Sequence, residues 1–204
     1  MSADVIQLVC SVNRNSINMQ IALQCAPLLM GVKISNLFTT NSKNEYIVKQ
    51  LFENSLFSGK IIYKSNEKII FLLYQEEKLV HYLSGEYENS LLKILGYSQM
   101  NLQEILNEFA KRFTGYMEEK KKFPHELGLL LEYPVADVIG FMDNEGKNFL
   151  YTGYWKVYEN LQQALKRFET YDVAKETVIR MVAQGVSIQH ILEIYNSSYK
   201  QLAI

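Results

Sequence analysis

The sequence predicts an α+β fold: one mostly helical domain with a small, mainly antiparallel sheet and a C-terminal helical hairpin. Three observations carry this. Apolar residues recur at helical spacing along most of the chain. Residues 60–64 and 68–74 are rich in Ile, Tyr and Phe and flank the short loop Ser65-Asn66-Glu67, which reads as a β-hairpin. The 204 residues are 48% hydrophobic, enough for one real core.

The elements follow in order. Residues 1–12 carry Val5, Ile6, Leu8, Val9 and Val12 and read equally as helix or strand. Ile17, Ile21, Cys25 and Leu28 then lie on one helical face. Pro27 predicts that this helix ends near Cys25 or that a second one starts at Pro27. Residues 32–38 read as extended and 44–57 as helix. The run IIFLLY does not alternate, which predicts a strand covered on both faces. Tyr87, Leu91, Leu92 and Leu95 form a stripe stopped by Gly96. Asn101 with Glu104 predicts a capping box for a helix burying Ile105, Leu106, Phe109 and Phe113. The lysines at 120–122 read as a solvated helix end.

Pro124 and Pro134 each fit the first turn of a short helix, and Asp143-Asn144-Glu145-Gly146 fits a turn. Phe149, Tyr151, Gly153, Trp155 and Val157 alternate with Leu150, Thr152, Tyr154, Lys156 and Tyr158, predicting one strand over 148–158 with an aromatic face. Leu161, Ala164, Leu165 and Phe168 predict a further helix. Val178, Met181 and Val182, then Gly185 and Ser187, then Ile188, Ile191 and Leu192, predict the closing hairpin. The expected division is an α+β domain at 1–172 and a hairpin appendage at 173–204, with 1–172 expected to fold alone.

Charge narrows the function. Lys+Arg total 21 and Asp+Glu total 22, for a net charge of -1, which argues against a broad nucleic-acid or anionic-membrane surface. No run of about 18 apolar residues predicts a membrane span. The opening MSADVIQLVC has no basic n-region, and two cysteines are too few for a disulfide framework. Together these lead to the expectation of a cytoplasmic protein. His81, His125, His190, Cys10 and Cys25 show no metal-ligand spacing, so no metal site is expected. No dinucleotide, phosphate-loop or CxxC pattern occurs.

Four features could carry chemistry. His125-Glu126 at a helix start could act as an acid/base pair, or simply as cap and dipole complement. Cys25 could be a nucleophile beside a helix N-terminus or one more core residue. The aromatic strand around Trp155 could stack a planar ligand or pack as core. The C-terminal hairpin has a helix-turn-helix outline, but its second helix offers only Lys200 as a full cation, which argues against DNA binding.

The segments CAPLLMGVKISNLF (25–38), FPHELGLLLEYPVADVIGFMDNEGKN (123–148) and GYWKVY (153–158) together resemble a bacterial family classed only as a domain of unknown function. The likeness covers about 17–172. The resemblance implies no activity, cofactor or substrate. It marks Cys25, Pro27, Lys33, Phe123, Pro124, His125, Glu126, Tyr133, Pro134, Asp137, Gly140, Phe141, Gly153, Tyr154, Trp155, Lys156 and Tyr158 as recurrent. Two departures stand out: glycine usually precedes Tyr-Pro where this chain has Glu132, and cysteine often precedes Gly153 where it has Thr152.

The expected function is small-ligand or partner binding in a cleft formed by 25–38, 123–141 and 153–158. His125, Glu126, Tyr133, Asp137, Tyr154, Trp155 and Lys156 are its candidate contacts. The alternative is a thiol-dependent hydrolase or transferase using Cys25 and His125, with Glu126 in support. A DNA-binding regulator acting through the hairpin ranks last.

Overall fold

A computed structural model describes residues 3–202, and side chains within 4–197. The helices are α1 (Ala3–Ser11), α2 (Ile17–Leu29), α3 (Glu45–Glu53), α4 (Glu76–Leu83), α5 (Glu86–Ile94), α6 (Leu102–Glu119), α7 (Glu126–Leu130), α8 (Val135–Asp143), α9 (Leu161–Ala183) and α10 (Ile188–Leu202). The strands are β1 (Ser35–Asn41), β2 (Ser58–Lys64), β3 (Lys68–Tyr74), β4 (Tyr151–Thr152) and β5 (Lys156–Val157). The fold is α+β and a single domain, mostly helical, with a three-stranded antiparallel sheet ordered β1-β3-β2 and a separate two-stranded one.

The non-alternating run in β3 organises the molecule. As the central strand it is covered on both faces, and its alternating residues feed two cores. Ile69, Phe71 and Leu73 enter one with α1, α2, α3, the C-terminal half of α9, and α10. Ile70, Leu72 and Tyr74 enter the other with α4, α5, α6, α7 and α8. Three layers result: helices, sheet, helices.

Several expectations are met with local differences. Residues 3–11 are helical, which settles the first ambiguity. The capping box at Asn101 is present in both directions. The stripe before Gly96 is shorter than expected, since only Leu91 and Leu92 are buried while Leu95 is half-buried and Tyr87 exposed. Helix α4 left no separate mark in the sequence reading.

Pro27 neither ends a helix nor starts one; it lies inside α2. Proline lacks the N–H that would bond four residues back, yet only two helical residues follow it, so little is lost. Its carbonyl then accepts from Val32 N (3.0 Å) and Lys33 N (3.1 Å), closing the helix end.

The division at 172/173 falls inside α9, one unbroken 23-residue helix. The segment beyond it is no appendage. Val178, Ile179, Ile188, Ile191 and Leu192 are buried in the first core beside Met19, Ala22 and Ala26 of α2. Arg180 also pairs with Asp4 of α1.

The expected strand over 148–158 is instead a tight hairpin, β4 and β5, pairing Tyr151 with Val157 and Thr152 with Lys156. The cause is a close approach. A Cβ at Gly153 would fall 2.3 Å from the Phe168 ring, so only glycine lets the backbone turn against α9 there. Tyr151 and Trp155 therefore do not share a strand face; Tyr151 is 45% exposed and Trp155 is buried.

Glu132 has φ +63, the left-handed region that favours glycine. Its side chain offsets part of that cost by accepting a hydrogen bond from Ile34 N (3.1 Å), tying the α7–α8 corner to the start of β1.

Candidate functional site

The 123–141 and 153–158 segments meet as two walls of a cavity of about 260 Å³. Phe123, His125, Leu127, Gly128 and Leu131 come from the α7 region, Asp137, Val138 and Phe141 from α8, and Tyr154, Trp155 and Lys156 from the β4–β5 hairpin. Tyr133 links the two groups. The wall is built by reversal: α8 ends at Asp143, the chain turns, and β5 returns beside the helix it left.

Asp137 holds this return in place. Its carboxylate accepts Trp155 Nε1 (2.7 Å), Tyr158 N (2.7 Å) and Glu159 N (3.0 Å). It is buried in the first turn of α8, where a carboxylate also complements the helix dipole. A buried carboxylate with three donors is a structural clamp, and its capacity to accept from a ligand is largely used.

Trp155 stacks on Tyr133 at 5.2 Å between centroids and 28°, and meets Phe168 edge-on at 4.5 Å. Tyr133 donates to Tyr154 O (3.2 Å), and burial pushes its phenol up to about 12. Tyr154 donates to Asp172 (3.0 Å), and burial, then Asp172, raise its pKa. Phe168 and Tyr171 of α9 thus complete the aromatic group. Leu161, Ala164 and Phe168 marked that helical face in the sequence, but Tyr171 was not among them and nothing in the pattern tied the face to Trp155.

His125 is half-buried on the cavity wall between Phe123 (5.5 Å) and Phe141 (5.8 Å). Its ring has no hydrogen-bond partner among the described residues. Burial lowers its pKa, nearby Lys122 acts the same way, and Glu126 opposes them. A neutral imidazole offers one donor and one acceptor.

Glu126 points elsewhere. It is 2% exposed, accepts from Tyr97 Oη (2.5 Å) and lies 3.5 Å from Arg112 Nη1. The adjacent pair in sequence is therefore divided in space: His125 faces the cavity and Glu126 the second core. No sequence signal named Tyr97 or Arg112 as its partners.

Lys156 stands at the cavity edge. Its ammonium donates to Gly146 O (2.6 Å) and lies over the rings of Phe149 (4.8 Å) and Phe141 (5.7 Å). It forms no ion pair with a carboxylate among the described residues, neither with Glu126 nor with Asp137.

Cys25 is absent from this wall. It is fully buried in the first core, with Asn36 Nδ2 and Leu37 O each 3.8 Å from its sulfur. Burial pushes its thiol up to about 12, against smaller opposing effects of Asn36 and Lys33. No residue of the 25–38 segment lines the cavity, but Lys33 approaches it from behind: its ammonium is 5.6 Å from the Tyr133 ring centroid and donates to Asn36 (3.2 Å). Burial lowers the Lys33 amine to about 8.

A family model described as Protein of unknown function (DUF3793) matches residues 21–192. The chain belongs to this family. Neither curated proteins nor solved structures give a match. The DUF3793 match runs past 172 into α10, further than the likeness read from motifs, and it takes in the helical pair that completes the first core. The cavity walls lie wholly within it.

Among the described residues, no group of three or more His, Cys, Asp or Glu side chains could hold a metal ion. No described helix is long and apolar enough to cross a membrane. The apolar face of α10 is spent on the first core, and the Lys200 side chain lies outside the described residues.

Proposed function

We propose that this member of the DUF3793 family is a small-ligand-binding protein of the bacterial cytoplasm. Its site is the aromatic cavity between α7–α8 and the β4–β5 hairpin. The observation that carries the reading is a preformed apolar cavity into which His125 presents an imidazole without a hydrogen-bond partner among the described residues. Ligand sites are mostly apolar with a few placed polar groups, and His125 and Lys156 supply those groups here. Ordinary ligand pockets occupy roughly 300–1,000 Å³, so a cavity of about 260 Å³ suits a ligand of about one ring. Two free cysteines, one of them exposed, support a reducing compartment.

Trp155 is the only tryptophan, so all indole fluorescence reports on the cavity. Titration with benzyl alcohol should give a saturable change in that emission. Leu127→Phe, which fills the cavity from its half-buried wall, should weaken the response about tenfold or more while stability stays within about 1 kcal/mol. A linear, unsaturable response in the unaltered protein would remove the proposal.

A further inference from the structure

Resting on the cavity reading above, we infer that the ligand is a single planar ring bearing one anionic group, such as an aromatic carboxylate, with its charge directed at Lys156 and its ring among Phe123, Phe141 and Trp155. The argument is one of unspent charge. Every carboxylate near the cavity already has partners. Asp137 holds three donors, and Glu126 is turned away to Tyr97 and Arg112. Lys156 has spent one donor on a backbone carbonyl, Gly146 O, and rests on two ring faces. An ammonium has three donors, so two remain for an incoming acceptor. The second positive charge acting on this wall, Lys122, is exposed and lies close enough to bear on His125.

Ring faces alone would favour a cation, as aromatic cages do. Here Lys156 already occupies the faces of Phe141 and Phe149, so a cationic ligand would meet a like charge at the edge. A neutral ring gains only the apolar contacts. An anionic ring gains those and a charge-assisted hydrogen bond from Lys156 at the cavity edge. His125, neutral between Phe123 and Phe141, adds a donor without competing for the charge.

The experiment compares three probes of one shape, benzoate, benzyl alcohol and benzylamine, by Trp155 fluorescence at pH 7.5. They are titrated into the full chain and into its Lys156→Met variant, which keeps an apolar stem over the rings. The expected result is that benzoate binds about tenfold or more tighter than benzyl alcohol, with benzylamine weakest. Lys156→Met should bring benzoate down to the level of benzyl alcohol in the same variant, and a cooperative urea transition shows that the variant is folded. Equal binding of benzoate and benzyl alcohol in the unaltered protein overturns the anionic ligand and leaves the cavity reading standing. Saturable binding by none of the three overturns both.

Discussion

The two sides of the protein are built differently. The core around Cys25 is mostly aliphatic, with Phe38, Phe52, Phe57 and Phe71 among its members, and it draws on α1, α2, α3, α9, α10, β1 and one face of β3. The side around His125 is made of rings, a buried carboxylate clamp and short elements joined by unusual backbone. Glu132, Glu145, Asn148 and Asn160, four of the six non-glycine residues with positive φ among the described residues, fall between 132 and 160. Such conformations persist where the surroundings over-determine them, and they concentrate at functional sites. The same contrast separates the two candidate nucleophile and base residues. Cys25 sits fully buried in its core with its thiol pushed up to about 12. His125 sits half-buried on a cavity wall with its polar atoms unspent. A residue type suggestive of catalysis is informative only with the environment that would use it.

The largest effect expected concerns the first side. Ending the chain at 172 removes Val178, Ile179, Ile188, Ile191 and Leu192 and uncovers the buried face of α2. Each such buried aliphatic side chain contributes roughly 1.5–3 kcal/mol, and the five together match the usual net stability of a domain, about 5–15 kcal/mol. Residues 1–172 should show no cooperative thermal transition. A sharp transition would mean that the helical pair is separable after all.

Next comes the clamp on the second side. Asp137→Ala leaves the Trp155 indole N–H and two backbone N–H groups without their acceptor, at a cost of about 2–4 kcal/mol. The urea midpoint should fall with the slope unchanged, and the Trp155 emission should move to longer wavelength. Gly153→Ala should cost about 1–3 kcal/mol, because its Cβ would have to displace the Phe168 ring. An unchanged midpoint would show that the hairpin can lift away from α9.

Lys33 links the two sides and gives a signed pH effect. Its amine is held near 8 when folded against an ordinary value of 10.5. Between pH 8 and 10.5 the unfolded chain holds a proton that the folded protein has released, so Lys33 makes stability rise with pH across that window. Below pH 8 both states are protonated and the contribution is flat. Lys33→Met should remove this rise; identical pH profiles for the two proteins would contradict the burial.

The sequence showed the α+β class, the hairpin at 60–74, whose first strand starts at Ser58 in the structure, the doubly covered strand and the capping box, because each is written in short-range periodicity or spacing. His125, Tyr133, Asp137, Tyr154, Trp155 and Lys156 line one cavity because the chain reverses between α8 and β5. The sequence did not show that α9 runs unbroken from 161 to 183. Ala164, Phe168, Tyr171, Ala174 and Val178 keep helical spacing throughout, but Tyr171 and Ala174 are weak apolar markers beside Glu169, Asp172 and Glu176, and packing on α2 fixes the helix as one piece. It also could not separate Glu126 from His125. Their divergence depends on Tyr97 and Arg112, which approach from distant parts of the chain. The strand expected at 148–158 failed because alternation is also what a two-residue hairpin shows, and Gly153 against Phe168 decides between them.

The smallest effects test the division between the two candidates. His125→Ala should change stability by less than about 1 kcal/mol, since its ring has no hydrogen bond to lose among the described residues. In the native state, Cys10, which is exposed, should react with iodoacetamide readily, and Cys25 slowly. Equal rates would bring the thiol-dependent reading forward again.

The central claim is that binding belongs to the ring-lined side and not to the core around Cys25. It is tested most directly by backbone amide NMR of the full chain during titration with benzoate. The account predicts saturable shifts concentrated in 123–141 and 153–158, with residues 17–29 and 178–192 unmoved. Shifts centred on Cys25 and Asn36, or no saturable shift anywhere, would contradict it.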